Sequence, residues 1–162
     1  MAVRFRVRVA EPGDAAVLEL LERRCFSDPW SCAGLSEMLA SPQVIARLAE
    51  TRGQLAGYVF ARWAADTGEI MNLAVAPEHR RQGLASRLLE AVLEGLLARG
   101  VTEVFLEVRA SNEAAQALYL SRGFQVAGMR RAYYRHPTED ALLLRLQLRG
   151  VAEKGSGRRI FG

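Results

Sequence analysis

The stretch Val75-Ala76-Pro77-Glu78-His79-Arg80-Arg81-Gln82-Gly83-Leu84-Ala85 decides how this chain is read. Before it, Glu69–Val75 is a mostly apolar run that Pro77 stops. After it the period changes to 3.6: Leu84, Leu88, Val92 and Leu96 share one helical face, while Arg87, Glu90 and Glu94 lie on the other. A strand end, a basic glycine-containing loop and a helix start therefore follow one another. A helix N-terminus exposes unpaired N–H groups and about half a unit of positive charge, which together favour an anion. Gly83 and Ala85 keep side chains away from that backbone, and Arg80 and Arg81 add charge. The same residues also suit a plain basic turn before an amphipathic helix, so the loop alone leaves phosphate binding open.

Working outward, Val3, Phe5, Val7 and Val9 alternate with Arg4, Arg6 and Arg8, a period-two strand with one wet face. Pro12-Gly13 ends it, and Asp14 is placed to cap a helix through about Cys25, with Val17, Leu18, Leu21 and Cys25 on one side. Asp28-Pro29 breaks the chain, and Ser31 can cap a second short helix ending near Ala40. Strands are expected over Val44–Ala49, Leu55–Trp63 and Glu69–Val75, separated by turns at Thr51-Arg52-Gly53 and Asp66-Thr67-Gly68. Gly100 closes the long helix, and Val101–Val108 reads as a strand buried on both faces. Asn112 caps a helix through about Ser121, Gly123 ends it, and Phe124–Met129 and Ala141–Leu148 are the last strands. The order βααβββαβαββ predicts an α/β fold: one domain over residues 1–149, with a mixed, mostly antiparallel central sheet flanked by helices. Residues 150–162 lack apolar periodicity and are expected to form a flexible tail.

Composition narrows the function classes. The 162 residues are half hydrophobic and a quarter charged, ordinary for one globular domain. No uncharged run exceeds the nine residues of Gly53–Ala61, far short of the roughly 18–20 that span a bilayer. The charged, alternating start has no apolar signal core, so a soluble cytoplasmic protein with no membrane partner is expected. Three of the 22 basic and one of the 18 acidic residues follow Arg149, which leaves a net charge of only +2 on the rest. That is a weak footprint for nucleic acid, and no direct nucleic-acid binding is expected. Lys154 is the single lysine, so neither a Gly-Lys-Ser/Thr phosphate loop nor a Schiff-base lysine in the domain is available. Cys25 and Cys32 are too few for a four-cysteine zinc site, His79 and His136 lack metal-ligand spacing, and no metal is expected.

A second stretch carries reactive side chains: Leu106-Glu107-Val108-Arg109-Ala110-Ser111-Asn112. A carboxylate in so apolar a strand is costly unless it has partners or faces a cleft, and desolvation would make Glu107 a better base near neutrality. The bland alternative is a glutamate paired to Arg109 or another arginine. Asn112 and Tyr119 are seven residues apart, about two turns, and so share a helical face. Tyr119 is then either a core residue or an acid facing the same cleft as Glu107.

Taken together, the segments resemble the GNAT family of N-acetyltransferases, whose Arg/Gln-x-x-Gly-x-Gly/Ala signature is met by Arg80-Arg81-Gln82-Gly83-Leu84-Ala85. The likeness is closest to the branch that acetylates protein N-termini. It is carried by Pro29-Trp30-Ser31, Asn72-Leu73-Ala74-Val75, the Leu106–Asn112 stretch, Ala117-Leu118-Tyr119, Gly123-Phe124, Arg130-Arg131-Ala132-Tyr133-Tyr134 and Glu139-Asp140-Ala141. The resemblance implies acetyl-coenzyme A (acetyl-CoA) as co-substrate, held by the backbone of Leu73, Ala74 and Val75. It further implies the pyrophosphate on Arg81, Gln82, Gly83, Leu84, Ala85 and Ser86, and the pantetheine arm on Asn112. It makes Glu107 the general base and Tyr119 the general acid, with Trp30, Tyr133 and Tyr134 lining an acceptor groove where Glu139 and Asp140 could attract a cation. The implied reaction is direct acetyl transfer to a protein N-terminus, by resemblance the N-terminal alanine of a small-subunit ribosomal protein. A lysine or small-molecule amine acceptor is the nearest alternative. A non-catalytic acyl-CoA or RNA-associated binding module is the alternative from another class.

Overall fold

In the computed structural model, which describes residues 3–148, seven strands hydrogen-bond in the order β1-β2-β3-β4-β5-β7-β6. They are β1 (Arg6–Val9), β2 (Val44–Thr51), β3 (Gln54–Ala64), β4 (Thr67–Val75), β5 (Glu103–Arg109), β6 (Gln125–Tyr134) and β7 (Glu139–Gln147). The helices are α1 (Ala15–Cys25), α2 (Cys32–Ala40), α3 (Leu84–Ala98) and α4 (Glu113–Ser121), so the expected element order holds. β4 and β5 pair in parallel, while β1–β2, β2–β3, β5–β7 and β6–β7 pair antiparallel, giving the mixed, mostly antiparallel sheet. The tail expected after residue 149 lies outside the described residues.

By internal packing the chain forms two units. The first, 1–62 with 71–95, is built on β1–β3, α1, α2 and most of α3. Its core holds Leu18, Leu21, Leu35, Leu48, Tyr58 and Phe60, all nearly inaccessible. α3 is the element that the sequence makes plainest. Leu84, Leu88, Leu89, Val92, Leu93 and Leu96 are all at most 1% exposed, and burying each such side chain stabilises by about 1.5–3 kcal/mol before entropy is counted. Gly57 is fixed by a close approach, because a Cβ there would lie 2.8 Å from the carbonyl oxygen of Ala74.

The second unit, 63–70 with 96–162, contains β5, α4, β6 and β7 and the first residues of β4. β5 pairs with β4 from Thr67↔Glu103 to Ile70↔Leu106 and with β7 along its whole length. α4 starts as expected: the Asn112 side chain accepts from the backbone N–H of Ala115 at 3.1 Å.

Five expectations need correction. β1 begins at Arg6, three residues later than the alternation suggests. Asp14 does not cap α1, because its carboxylate accepts from Arg8 at 2.8 and 2.9 Å and from the N–H of Glu11 at 2.7 Å. The buried face of α1 is Ala15, Leu18, Leu21 and Glu22, whereas Val17 is 46% exposed. β5 is not buried on both faces: Val104, Leu106 and Val108 are buried, and Glu103, Phe105, Glu107 and Arg109 alternate with them on a half-buried face. β6 runs five residues beyond Met129, through a register shift between Arg130 and Tyr134.

Candidate functional site

The expected site residues fall into two sets, one in each unit. Trp30, Leu73, Ala74, Val75 and Arg81–Ser86 belong to the first, and Glu107, Asn112, Tyr119, Tyr133 and Tyr134 to the second.

In the first unit, β4 runs on from Met71 to Val75, past its last pair with β5 at Ile70. A short 3-10 turn at Pro77–His79 then leads into the loop before α3. Arg81 has φ +61° and Gly83 φ +76°. Left-handed backbone costs a non-glycine residue about 1–2 kcal/mol, and such strain concentrates at functional sites. No heavy atom lies within 4 Å of a Cβ built on Gly83, so the backbone there fronts open space. The first N–H groups of α3 lie beside it, and such helix termini favour negative charge. Arg80, an exposed residue, donates from Nε to the carbonyl oxygen of Val75 at 3.1 Å, and its Nη2 lies 3.8 Å from Cys25 Sγ. Burial pushes the Cys25 thiol up, against the pull of Arg80.

Trp30 lies in the link between α1 and α2, half-buried, with its ring edge-on to Phe60 at 5.7 Å. Its backbone N–H donates to Glu22 at 3.0 Å, and Glu19 accepts the N–H of Cys32 at 2.6 Å. Glu22 is 1% exposed and also accepts from Asn72 Nδ2 at 3.1 and 3.3 Å. Desolvation raises its pKa, and these donors pull the other way. Glu22 escapes a sequence reading because a glutamate reads as solvent-facing. Its one signal is its place four residues after Leu18, on the buried face.

In the second unit, Glu107 is paired with Arg130 Nε at 2.8 Å, not with Arg109. Glu107 makes the Tyr133 hydroxyl hold its proton more tightly, with burial and the charge of Glu69 acting the same way and Arg130 opposing them. Tyr134 is pushed up to about 12 by burial, then by Glu107 and Tyr133. Tyr119 is 7% exposed, edge-on to Phe124 at 5.5 Å, and its pKa is raised strongly by burial and further by Tyr134. Glu107, Tyr133, Tyr134 and Tyr119 therefore form one electrostatically linked set, with α4 carrying Asn112 at its start and Tyr119 two turns on.

Neighbours on a strand normally point to opposite faces, yet the rings of Tyr133 and Tyr134 meet at 5.1 Å, 84° apart. The register shift explains this: Ala132 takes φ +51° within it, and its N–H donates to Asp140 Oδ1 at 2.8 Å. Glu139 accepts from the N–H of Ser111 at 2.7 Å and pairs with Arg109 at 3.4 Å. Glu139 and Asp140 thus both tie the β6–β7 hairpin to its neighbours. Among the described residues, no group of three or more His, Cys, Asp or Glu is placed to hold a metal ion, and no helix is long and apolar enough to cross a membrane.

Residues 16–124 match the model of the acetyltransferase (GNAT) family. The [ribosomal protein bS18]-alanine N-acetyltransferase of Escherichia coli K12 is 38% identical over 132 residues, 79% of this chain and 87% of that protein. The N-alpha-acetyltransferase RimI of Mycobacterium tuberculosis is 39% identical over 138 residues, 82% of this chain and 85% of its own. The crystal structure of the Escherichia coli ribosomal-protein-S18-alanine N-acetyltransferase superposes with a TM-score of 0.85 at 32% identity, covering 94% of this chain and 99% of that one. Arabidopsis thaliana NAA60 in complex with acetyl-CoA shares the fold at 20% identity, with a TM-score of 0.80 over 91% of this chain and all of the other. With a family model matched over residues 16–124 and relatives over most of its length, this chain belongs to the GNAT family of acetyltransferases.

Proposed function

We propose that the protein is an N-alpha-acetyltransferase that moves an acetyl group from acetyl-CoA to the N-terminal amine of a protein. The acceptor is the N-terminal alanine of a small-subunit ribosomal protein, as the name of the Escherichia coli relative suggests, and the name of the Mycobacterium tuberculosis relative supports N-alpha-acetylation. The activity is assigned to residues 1–149 as one acetyltransferase domain. The observation that carries the chemistry is the carboxylate of Glu107 beside the hydroxyl of Tyr133, in a set whose buried member, Tyr119, keeps its proton at any physiological pH.

The residues of the first unit fit the co-substrate. Arg81–Ser86 offer an open, positively polarised backbone to a pyrophosphate, and Leu73–Val75 continue β4 beyond its last pair with β5. Acetyl-CoA supplies the acetyl group as a thioester, already activated for attack. Glu107 accepts the proton that the acceptor amine must lose, and Tyr119 donates one to the departing thiolate, so the thiol leaves neutral. Asn112, with its Oδ1 on Ala115, keeps its amide N–H groups for the pantetheine arm. Tyr133 and Tyr134 are the acceptor-side residues of the second unit, and Trp30 is that of the first.

An α-amine suits this machinery better than a lysine. At pH 7 a neutral α-amine costs about 1.4 kcal/mol and a neutral lysine about 4.6 kcal/mol. The test is an Ala-initiated peptide against the same peptide with a blocked terminus and an internal lysine, each incubated with acetyl-CoA and read by mass spectrometry. Acetylation confined to the free terminus is expected. Equal modification of both sinks the N-terminal reading in favour of the lysine or small-amine alternative, and no transfer to either favours a binding module.

A further inference from the structure

Arg109 bonds to three groups of the β6–β7 connection and stacks on Tyr134, and neither the signature nor the proposed chemistry gives it a task. It stands two residues after Glu107 on the same half-buried face of β5. Its Nη1 donates to the carbonyl oxygen of Pro137 at 3.1 Å and to Glu139 Oε1 at 3.4 Å, and its Nη2 to the carbonyl oxygen of Arg135 at 3.0 Å. Its Cζ lies 4.4 Å from the centroid of the Tyr134 ring. One guanidinium therefore satisfies two carbonyls and a carboxylate of the β6–β7 connection while stacking on the tyrosine where β6 ends. Glu139 is held a second time by the N–H of Ser111, and the N–H of Ala110 donates to the carbonyl oxygen of Asp140 at 3.0 Å. Gln116 secures the end of β5 from α4, donating to the carbonyl oxygens of Arg109 and Ala110 at 3.1 and 2.9 Å.

From this geometry we infer that Arg109 is a positioning residue for acceptor recognition: it clasps the β6–β7 connection and so fixes Tyr133 and Tyr134 against Glu107. The inference rests on the proposed acceptor side of the site. What the clasp holds is loop backbone and a tyrosine ring rather than the hydrophobic core. The β5–β7 ladder from Glu103↔Gln147 to Arg109↔Ala141 is made by backbone and does not need the Arg109 side chain. Loosening the clasp therefore frees Tyr134 and leaves the sheet intact. Lysine cannot replace it, since an ammonium is a point charge without the planar fork or the stacking face.

The experiment compares wild type with R109K and, as a milder variant, Glu139→Gln, which removes one leg of the clasp. Each is measured with acetyl-CoA saturating and the acceptor peptide varied. R109K is expected to raise the acceptor KM about tenfold and leave the dissociation constant of acetyl-CoA, by calorimetry, within about twofold, with Glu139→Gln shifting KM the same way by less. Hydrogen–deuterium exchange should quicken at the amides of Ser111 and Ala132 and stay unchanged over Val104–Val108. An unchanged acceptor KM overturns the inference, as does exchange that is unaltered at Ser111 and Ala132 or that quickens equally along β5. The KM is read on whichever amine the wild type acetylates, so a lysine acceptor would sink the N-terminal reading without deciding this one.

Discussion

The carboxylate of Glu22, on the buried face of α1, accepts the backbone N–H of Trp30 at 3.0 Å. A helix buried in the core thereby grips the loop that carries a proposed acceptor residue. The link is made by an ionisable group whose proton affinity burial has raised.

That raised pKa has a direction in stability. The folded state holds the Glu22 proton more tightly than the unfolded chain, so its contribution is full below the ordinary 4.5 and is lost as pH rises through the folded value. Glu22→Gln, neutral throughout, should therefore gain on wild type between pH 4 and pH 7. Urea midpoints at each pH check this, and a difference that does not change with pH refutes it.

Asp14 behaves in the opposite sense. Hydrogen bonds from Arg8 hold its carboxyl below the usual range, so its contribution is present above the unfolded pKa and lost as pH falls through the folded one. Asp14→Asn should cost up to about 1 kcal/mol at pH 7, since the pair is partly exposed, and progressively less as pH falls below 3.8. A cost that persists in acid would mean that the carboxylate charge is not what matters.

Gly83 combines a left-handed φ with open space in front of it. Gly83→Asp should cost about 1–2 kcal/mol of stability from backbone strain alone. It also places a negative charge where the proposed pyrophosphate sits, so acetyl-CoA affinity should fall well beyond about tenfold. Calorimetry showing unchanged binding removes the loop from the site.

Glu107→Gln should slow turnover by about 10²- to 10⁴-fold near neutrality. The deficit should shrink as pH passes the acceptor pKa of about 8, where the amine loses its proton unaided. A deficit independent of pH would make Glu107 a positioning group only.

Tyr119→Phe should lower the single-turnover rate while acetyl-CoA affinity stays within a few-fold. Because burial raises the Tyr119 pKa so far, the wild-type rate should show no downturn from this group between pH 8 and pH 10. Collapse of co-substrate affinity in Tyr119→Phe would mark Tyr119 as a packing residue.

What could be read in the sequence was whatever repeats or punctuates. α3 announces itself through Leu84, Leu88, Val92 and Leu96, and Asn112 through its position before α4; both stand where expected. Side-chain identity misled where a polar residue serves the interior. Glu22 hides on the buried face of α1, and Asp14 is taken by Arg8 rather than by a helix end. The partner of Glu107 was out of reach for another reason. Arg109 is two residues away, Arg130 comes from another strand, and only the folded register decides between them. The clasp on residues 135–139 depends likewise on a hairpin in which Ala132 and His136 both take a left-handed φ.

Ala132 makes the two tyrosines a matter of counting. Along a regular strand, each residue added or removed reverses the side on which every later side chain emerges. The irregularity at Ala132 absorbs such a reversal, which is how successive rings come to touch. Changing the spacing between Arg130 and Tyr133 by one residue would turn both rings to the other side of the strand, whereas a change of two returns them. Altered acceptor preference should therefore come from exchanging the side chains at positions 133 and 134, with the number of residues before them held fixed.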